Sequence, residues 1–82
     1  IASRYGKDNI RCNSVHPSTV DTPLVHKMLE DPAWRAQRVG EVPLGRLATA
    51  ADVANMVLYL ASEEGAFING AAMTVDGGVT AY

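Results

Sequence analysis

The chain has one cysteine, Cys12, and two histidines, His16 and His26, in 82 residues. A disulfide framework is thereby excluded, and the histidines lie too far apart in sequence to form a one-turn metal pair. A lone thiol favours a reducing compartment, so a cytoplasmic location is expected. No apolar run approaches the ~20 residues that span a bilayer. No charged-then-apolar leader opens the chain either, and no membrane partner is expected. An excess of basic charge is also missing. The seven Lys and Arg are scattered among nine Asp and Glu, for a net charge of −2, which leaves no electrostatic footprint for nucleic acid.

The composition is that of a globular protein, with 48% hydrophobic residues and near-neutral charge, and it does not fit a disordered tail. The length allows one domain at most. So small a domain buries a small fraction of its surface and is only marginally stable, and no disulfide or metal is available to compensate. The first residue is Ile1, inside what reads as a helix, so further protein upstream is expected.

Four pieces follow one another. Ile1 to Tyr5 is helix-compatible, and Gly6 suits the left-handed residue that ends a helix; Lys7, Asp8 and Asn9 then make a polar turn. Ile10, Cys12, Ser14 and His16 alternate with Arg11, Asn13 and Val15, and neither set is cleanly polar. That pattern predicts a strand covered on both faces, as in a parallel sheet, and Pro17 stops it. Ser18 to Ala48 is long and irregular. Short helices are expected over Val25 to Glu30 and from Pro32 to Arg38, the second capped by Asp31 with Pro32 at its first position. Gly40, Pro43 and Gly45 break the chain again, and a connection of this kind is usually a lid or binding loop. Finally, Thr49 and Asp52 form a capping-box pattern before Val53, Met56, Val57 and Leu60, which fall at i, i+3, i+4 and i+7. Ala54, Leu58 and Ala61 widen that apolar face, predicting a helix buried on more than one side. Glu63 to Gly65 end it, and Ala71 to Val75 reads as a strand closed by Asp76-Gly77-Gly78. Strand, helix and strand in one sheet make a parallel crossover. The fold class is therefore α/β, part of a doubly wound parallel sheet. One full helix and two strands cannot cover both faces of such a sheet.

These residues carry a recognisable ordered pattern. Asn9 to Pro17, N-I-R-C-N-S-V-H-P, followed by Val20-Asp21-Thr22-Pro23, resembles the strand and "V-x-T-P" loop of short-chain dehydrogenases/reductases. Pro43-Leu44-Gly45-Arg46, the Asp52-Val53-Ala54 to Leu58–Ser62 helix, Ile68-Asn69-Gly70 and Val75-Asp76-Gly77-Gly78 are similar to that family's later motifs. The resemblance covers essentially the whole chain and corresponds to the family's C-terminal third. It implies a Rossmann-type oxidoreductase that moves a hydride between NAD or NADP and an alcohol or ketone. Carried over position by position, Pro17 and Ser18 would line the nicotinamide, the Val20 backbone would hold its carboxamide, and Thr22 would bond the carboxamide or pyrophosphate. The loop's place after a parallel strand suits ligand binding. The chain divides into a helix end and strand (1–16), a cofactor and substrate loop with lid (17–48), and a helix, strand and closing loop (49–82). Leu24, Met28, Leu29 and Trp34 are the lid residues expected near substrate. For Met28, Leu29 and Trp34 a second reading, packing of the lid against the body, stands beside the first. The resemblance also implies a homo-oligomer formed through residues 53–62 and 71–75.

Three departures stand out: Ser18 where the family usually has Gly, Cys12 for a common Val, and Asn69 for a common Thr. Altered loop torsions are expected at Ser18. Two absences weigh more. There is no glycine-rich phosphate loop. There is also no Tyr-x-x-x-Lys pair, since Tyr5 is followed four residues on by Asn9 and Tyr59 by Glu63. Chemistry of this type needs a tyrosine whose pKa is lowered by a neighbouring lysine, so the catalytic Ser, Tyr and Lys would lie upstream and no catalytic residue is assigned here.

The plainer readings are these. Thr22 is either a cofactor ligand or a turn residue before Pro23, and the ordered match favours the ligand. Ser18 has no nucleophile elbow around it. Gly40 to Leu47 fails as a phosphate loop because Arg46 and Leu47 stand where Lys and Ser/Thr are required; Arg46 is expected to pair with Asp52 or a backbone carbonyl. Cys12 reads as a small core residue, Asn13 as a partner of neighbouring backbone groups, His16 as a packed or hydrogen-bonded strand end, and His26 as a solvated helix face. Two further hypotheses accompany the dehydrogenase reading. One is a non-catalytic binding or assembly module derived from such an enzyme. The other is that these residues are a portion of a longer chain.

Overall fold

Two parallel strand pairings organise the chain. The computed structural model describes residues 1–81. The elements run α1 (Ala2–Tyr5), β1 (Ser14–Pro17), β2 (Val20–Asp21), α2 (Pro23–Leu29), α3 (Pro32–Gly40), β3 (Ala48–Thr49), α4 (Ala50–Ala61) and β4 (Ala72–Val75), with 3-10 turns at Gly6–Asp8 and Glu63–Gly65. β1 lies parallel to β4 with Ser14 opposite Ala72 and Pro17 opposite Val75. β2 lies parallel to β3 with Val20 opposite Ala48 and Asp21 opposite Thr49. The expected parallel α/β arrangement is therefore present. The β2–β3 pair is an addition to it, because two-residue strands leave no periodicity to read.

The first strand begins later than expected, at Ser14. Residues 12–14 are still held to residues 68–71, but side chains take part in most of the bonds. Cys12 N donates to Asn69 Oδ1 (3.0 Å) and Gly70 N donates to Cys12 O (2.9 Å). Asn13 Nδ2 donates to Ile68 O (3.0 Å), and Asn13 Oδ1 accepts from Ala71 N (2.9 Å). The two asparagines thus carry the pairing past the end of the backbone ladder, and for partly buried Asn13 this also satisfies its own amide. Cys12 is exposed, which corrects its reading as a core residue.

Helix ends follow local chemistry. Thr22 Oγ1 accepts from Val25 N (3.4 Å) at the start of α2, and Asp31 Oδ1 accepts from Ala33 N (3.0 Å) at the start of α3. Each cap is followed by proline, whose missing N–H costs nothing at the first helical position. α2 begins two residues earlier than expected because Thr22-Pro23 is such a start. At α4 the capping box is complete: Asp52 N donates to Thr49 Oγ1 (3.2 Å) and Thr49 N to Asp52 Oδ2 (2.8 Å). Gly6 is right-handed, with φ −57°, so it is not the left-handed stop. Asn9 takes that role at φ 60°, a conformation asparagine tolerates.

α4 packs on one face of the β1–β4 pair, where Val15, Met73 and Val75 are half-buried. Ser14, His16, Ala72 and Thr74 form the opposite face and are exposed. The strand is therefore covered on one side among the described residues, not on both. The helix is likewise covered along a single face: Leu60 is buried and Val53 and Met56 half-buried, while Val57, Leu58 and Tyr59 are exposed. The buried apolar side chains are Leu29, Val42, Leu47 and Leu60, whereas Phe67 is fully exposed. The accessible surface is 5978 Å², against roughly 4,700 Å² for a compact monomer of this mass. The radius of gyration is 15.6 Å, against about 12 Å for a compact chain of this length. No helix is long and apolar enough to cross a membrane among the described residues.

Candidate functional site

Because β1 and β4 are parallel, their carboxyl ends lie at the same edge, and the segments that leave them meet there. β1 gives way to Ser18-Thr19, β2 and the Thr22 cap. β4 gives way to the Asp76-Gly77-Gly78 turn. Crevices at the carboxyl ends of parallel strands are the ligand sites of open α/β sheets. Here half-buried Ser18 borders two depressions. One is a cleft of about 170 Å³ with Val42, Leu44, Arg46 and Gly77; the other is a shallower one of about 510 Å³ with His16, Pro17, Thr74 and Thr80.

The Asp76 turn is a self-contained polar unit. Asp76 is buried, and its carboxylate accepts from Gly78 N (3.0 Å), Thr80 N (3.1 Å) and Thr80 Oγ1 (2.6 Å). The Thr80 hydroxyl, with the two backbone amides, holds this carboxyl below its ordinary pKa despite burial. Gly77 has φ 61°, and a Cβ there would lie 2.6 Å from Val42 Cγ1. The glycine lets residues 42–45 approach, and Leu44 N donates to Gly77 O (3.1 Å). The sequence shows this turn as the end of a strand and as part of the family pattern, without indicating the Asp76 hydrogen bonds.

Across the cleft, Arg46 pairs with Asp52 through Nη1–Oδ2 (2.8 Å) and Nη2–Oδ1 (3.3 Å), and Arg46 Nη1 also donates to Leu47 O (3.0 Å). Both expected partners of Arg46, the carboxylate and a carbonyl, are thus engaged at once. The Arg46 hydrogen bonds, with the Thr49 amide, hold the Asp52 carboxyl well below the usual carboxylate range.

The β2–β3 bridge orients the loop backbone. Ala48 N donates to Thr19 O (3.3 Å). Alternate residues of a strand face opposite edges, so Val20, opposite Ala48, turns its N–H and C=O away from β3. Thr22 sits at the end of this segment; its Oγ1 accepts a bond from Val25 N, which leaves the hydroxyl proton to donate elsewhere. The positions expected to bind cofactor, Pro17, Ser18, Val20 and Thr22, are therefore consecutive parts of one carboxyl-end loop. Ser18 does not have positive φ; among the described non-glycine residues that conformation belongs to Asn9. The residue thus adopts no glycine-type torsion.

The residues expected in a lid separate. Leu29 is buried at 3% exposure, which favours the packing reading for it. Trp34 is half-buried with the Arg38 guanidinium 5.1 Å from its ring centre. Leu24 and Met28 are exposed on α2. His16 Nε2 and Ser14 Oγ are 2.7 Å apart, as suits a hydrogen-bonded strand end, and exposed His26 lies 3.4 Å from Asp21. No group of three potential metal ligands occurs among the described residues.

Residues 1–80 match the family model described as enoyl-(acyl carrier protein) reductase. The chain belongs to the short-chain dehydrogenase/reductase family. It is 40% identical over 81 residues to 2-(R)-hydroxypropyl-CoM dehydrogenase of Xanthobacter autotrophicus, covering 99% of this chain and 32% of that protein. Among solved structures it is similar to a short chain dehydrogenase family protein from Francisella tularensis (TM-score 0.86, 33% identity, 99% of this chain and 37% of that one). It is also similar to 4-hydroxyisoleucine dehydrogenase complexed with NADH (TM-score 0.93, 31% identity, 99% and 33%). The chain spans about a third of the length of the curated relatives it matches. The parallel α/β fold is that of this Rossmann-type family.

Proposed function

We propose that this chain is the C-terminal part of an NAD(P)-dependent oxidoreductase acting on an alcohol or ketone, and that it supplies the nicotinamide-side loop, the substrate lid and an oligomer surface. The observation that carries the reading is the Ser18–Thr22 loop: it leaves the carboxyl end of a parallel strand with the Val20 backbone turned away from its partner strand and the Thr22 hydroxyl able to donate. These groups fit a carboxamide, which has one acceptor and two donors. The bound dinucleotide supplies the hydride donor or acceptor. This chain's own part is to orient it. Val20 N–H and C=O complement the amide, Thr22 Oγ donates to a carboxamide or phosphate oxygen, and Pro17 and Ser18 wall the ring without adding charge.

Leu24 and Met28 form the substrate side of the lid, with Leu29 as its anchor and Trp34, stacked by Arg38, at its base. The 53–62 helix and the 71–75 strand serve the two-fold contact, and exposed Val57, Leu58 and Tyr59 together with the edge of β4 that is unpaired among the described residues support that role. The proton-transfer residues belong to the remainder of the fold, which also covers the open sheet face.

Thr22→Val in the full-length protein tests the reading. The loss of one neutral hydrogen bond should weaken NADH or NADPH binding about threefold to tenfold. Thr22→Ser keeps both the hydroxyl and the helix cap and should bind as the parent does. Equal dissociation constants for the parent and the valine variant would remove Thr22 from the site.

A further inference from the structure

We infer that Arg46 and Asp52 are positioning residues for the cofactor loop, acting through the segment between them; this rests on the reading of residues 18–22 given above. A two-stranded pair is marginally stable by itself, and β2–β3 contributes only two residues from each strand. Something outside the ladder must hold it. The structure shows both ends of Leu47–Thr49 tied down by the same two side chains. Arg46 Nη1 donates to Leu47 O at 3.0 Å and to Asp52 Oδ2 at 2.8 Å, and Asp52 Oδ2 accepts from Thr49 N at 2.8 Å. The Leu47 side chain is itself buried, which fixes that end of the segment further. From this fixed segment Ala48 N reaches Thr19 O, and the Val20–Ala48 and Asp21–Thr49 pairings follow. The orientation of Val20 and the placement of Thr22 are therefore set through Leu47–Thr49, to which the hydrogen bonds of Arg46 and Asp52 run.

Helix capping alone does not explain the arrangement. A capping box needs Thr49 and Asp52, and Arg46 is surplus to it. The guanidinium's additional bond goes to Leu47 O, which lies in the segment leading into β3, outside the helix. A planar fork can serve the carboxylate bidentately and that carbonyl together, whereas an ammonium cannot reproduce the geometry. Asp52→Asn separates the two roles, because asparagine can still accept from Thr49 N but no longer pairs with a cation.

The test uses the full-length protein with Arg46→Ala, Arg46→Lys and Asp52→Asn. Three quantities are measured: NADH and NADPH dissociation constants, melting temperature, and amide hydrogen exchange of the ligand-free protein at residues 19–22 and 48–49. Arg46→Ala should weaken cofactor binding about tenfold, the order of losing one well-placed hydrogen bond from the loop. It should raise the cofactor KM more than it lowers kcat. Exchange at Ala48 should quicken, while exchange at Met56–Leu60 stays unchanged. Arg46→Lys and Asp52→Asn should shift binding in the same direction by less, with melting held; these two decide the matter should the alanine variant fail to fold. Unchanged exchange at Ala48 would show that no clamp exists. Faster exchange with unchanged cofactor affinity would show that the clamp does not position the loop. Failure of the parent to bind either dinucleotide overturns the cofactor reading itself, and this proposal with it.

Discussion

Taken out of any larger fold, residues 1–82 should not form a cooperatively folded unit. The described structure exposes 5978 Å², about 1,200 Å² more than a compact monomer of 8.7 kDa. Over half of a typical protein surface is apolar, so roughly 700 Å² of that excess is apolar. At about 25 cal/mol per Å² the missing burial is on the order of 18 kcal/mol, an upper bound because unfolded chains are themselves partly compact. Even half of it would rival the ~5–15 kcal/mol by which a whole domain is stable. The buried apolar set among the described residues is only Leu29, Val42, Leu47 and Leu60, dispersed over α2, the 42–47 segment and α4. The isolated chain, studied by circular dichroism and calorimetry, should lose ellipticity gradually and show little near-UV signal; size-exclusion chromatography should reveal association through the open faces. A single transition with matching calorimetric and van't Hoff enthalpies near ~57 kcal/mol, the value for a folded domain of this length, from a monomer would refute the reasoning.

Two further predictions concern the turn after β4, and both are read in the full-length protein. Gly77→Ala should lower stability by about 1–2 kcal/mol for the left-handed backbone and about 1–3 kcal/mol for the contact with Val42; denaturant melts check this, and Val42→Ala should restore only the contact part. The Asp76 carboxyl has its pKa lowered from the ordinary 3.8, chiefly by Thr80. Its contribution to stability is therefore present above that value and lost as pH falls through the folded pKa. Asp76→Asn and Thr80→Val should both flatten the acid limb of a melting-temperature profile, and a profile as steep as the parent's would refute the assignment.

What was legible in the sequence was what neighbours decide. The Asp31-Pro32 start of α3, the Thr49–Asp52 box and the Arg46–Asp52 pair each lie within a few residues, and each formed as the side-chain chemistry required. The parallel fold class was legible because two apolar segments separated by a long connection have few alternatives. What was not legible depends on partners far along the chain. Asn69 bonds Cys12 across 57 residues, and the β2–β3 pairing exists only because the 42–49 segment returns to the loop. Apolar residues at positions 53 to 61 promise burial without naming the surface that provides it. The second face of α4 and the second face of β1 therefore remain open among residues 1–81, where periodicity had implied cover. Leu29 shows the same limit on a smaller scale: its hydrophobicity fitted substrate contact and packing equally, and only its burial separates them.

Ser18 shows how a departure from a family pattern can be informative. Glycine at such a place serves either a backbone torsion closed to other residues or a close approach. The torsion is not needed here, since Ser18 stays out of the left-handed region. A side chain is therefore tolerated by the backbone, and what remains is space. The residue borders both depressions at the strand ends, so its hydroxyl adds one small polar group between them where glycine would add none. In the cofactor reading it lies beside Pro17 on the wall of the ring site and can accept or donate a hydrogen bond. The substitution thus alters the chemistry of the wall while leaving the course of the loop to Thr19, Ala48 and the residues that fix them.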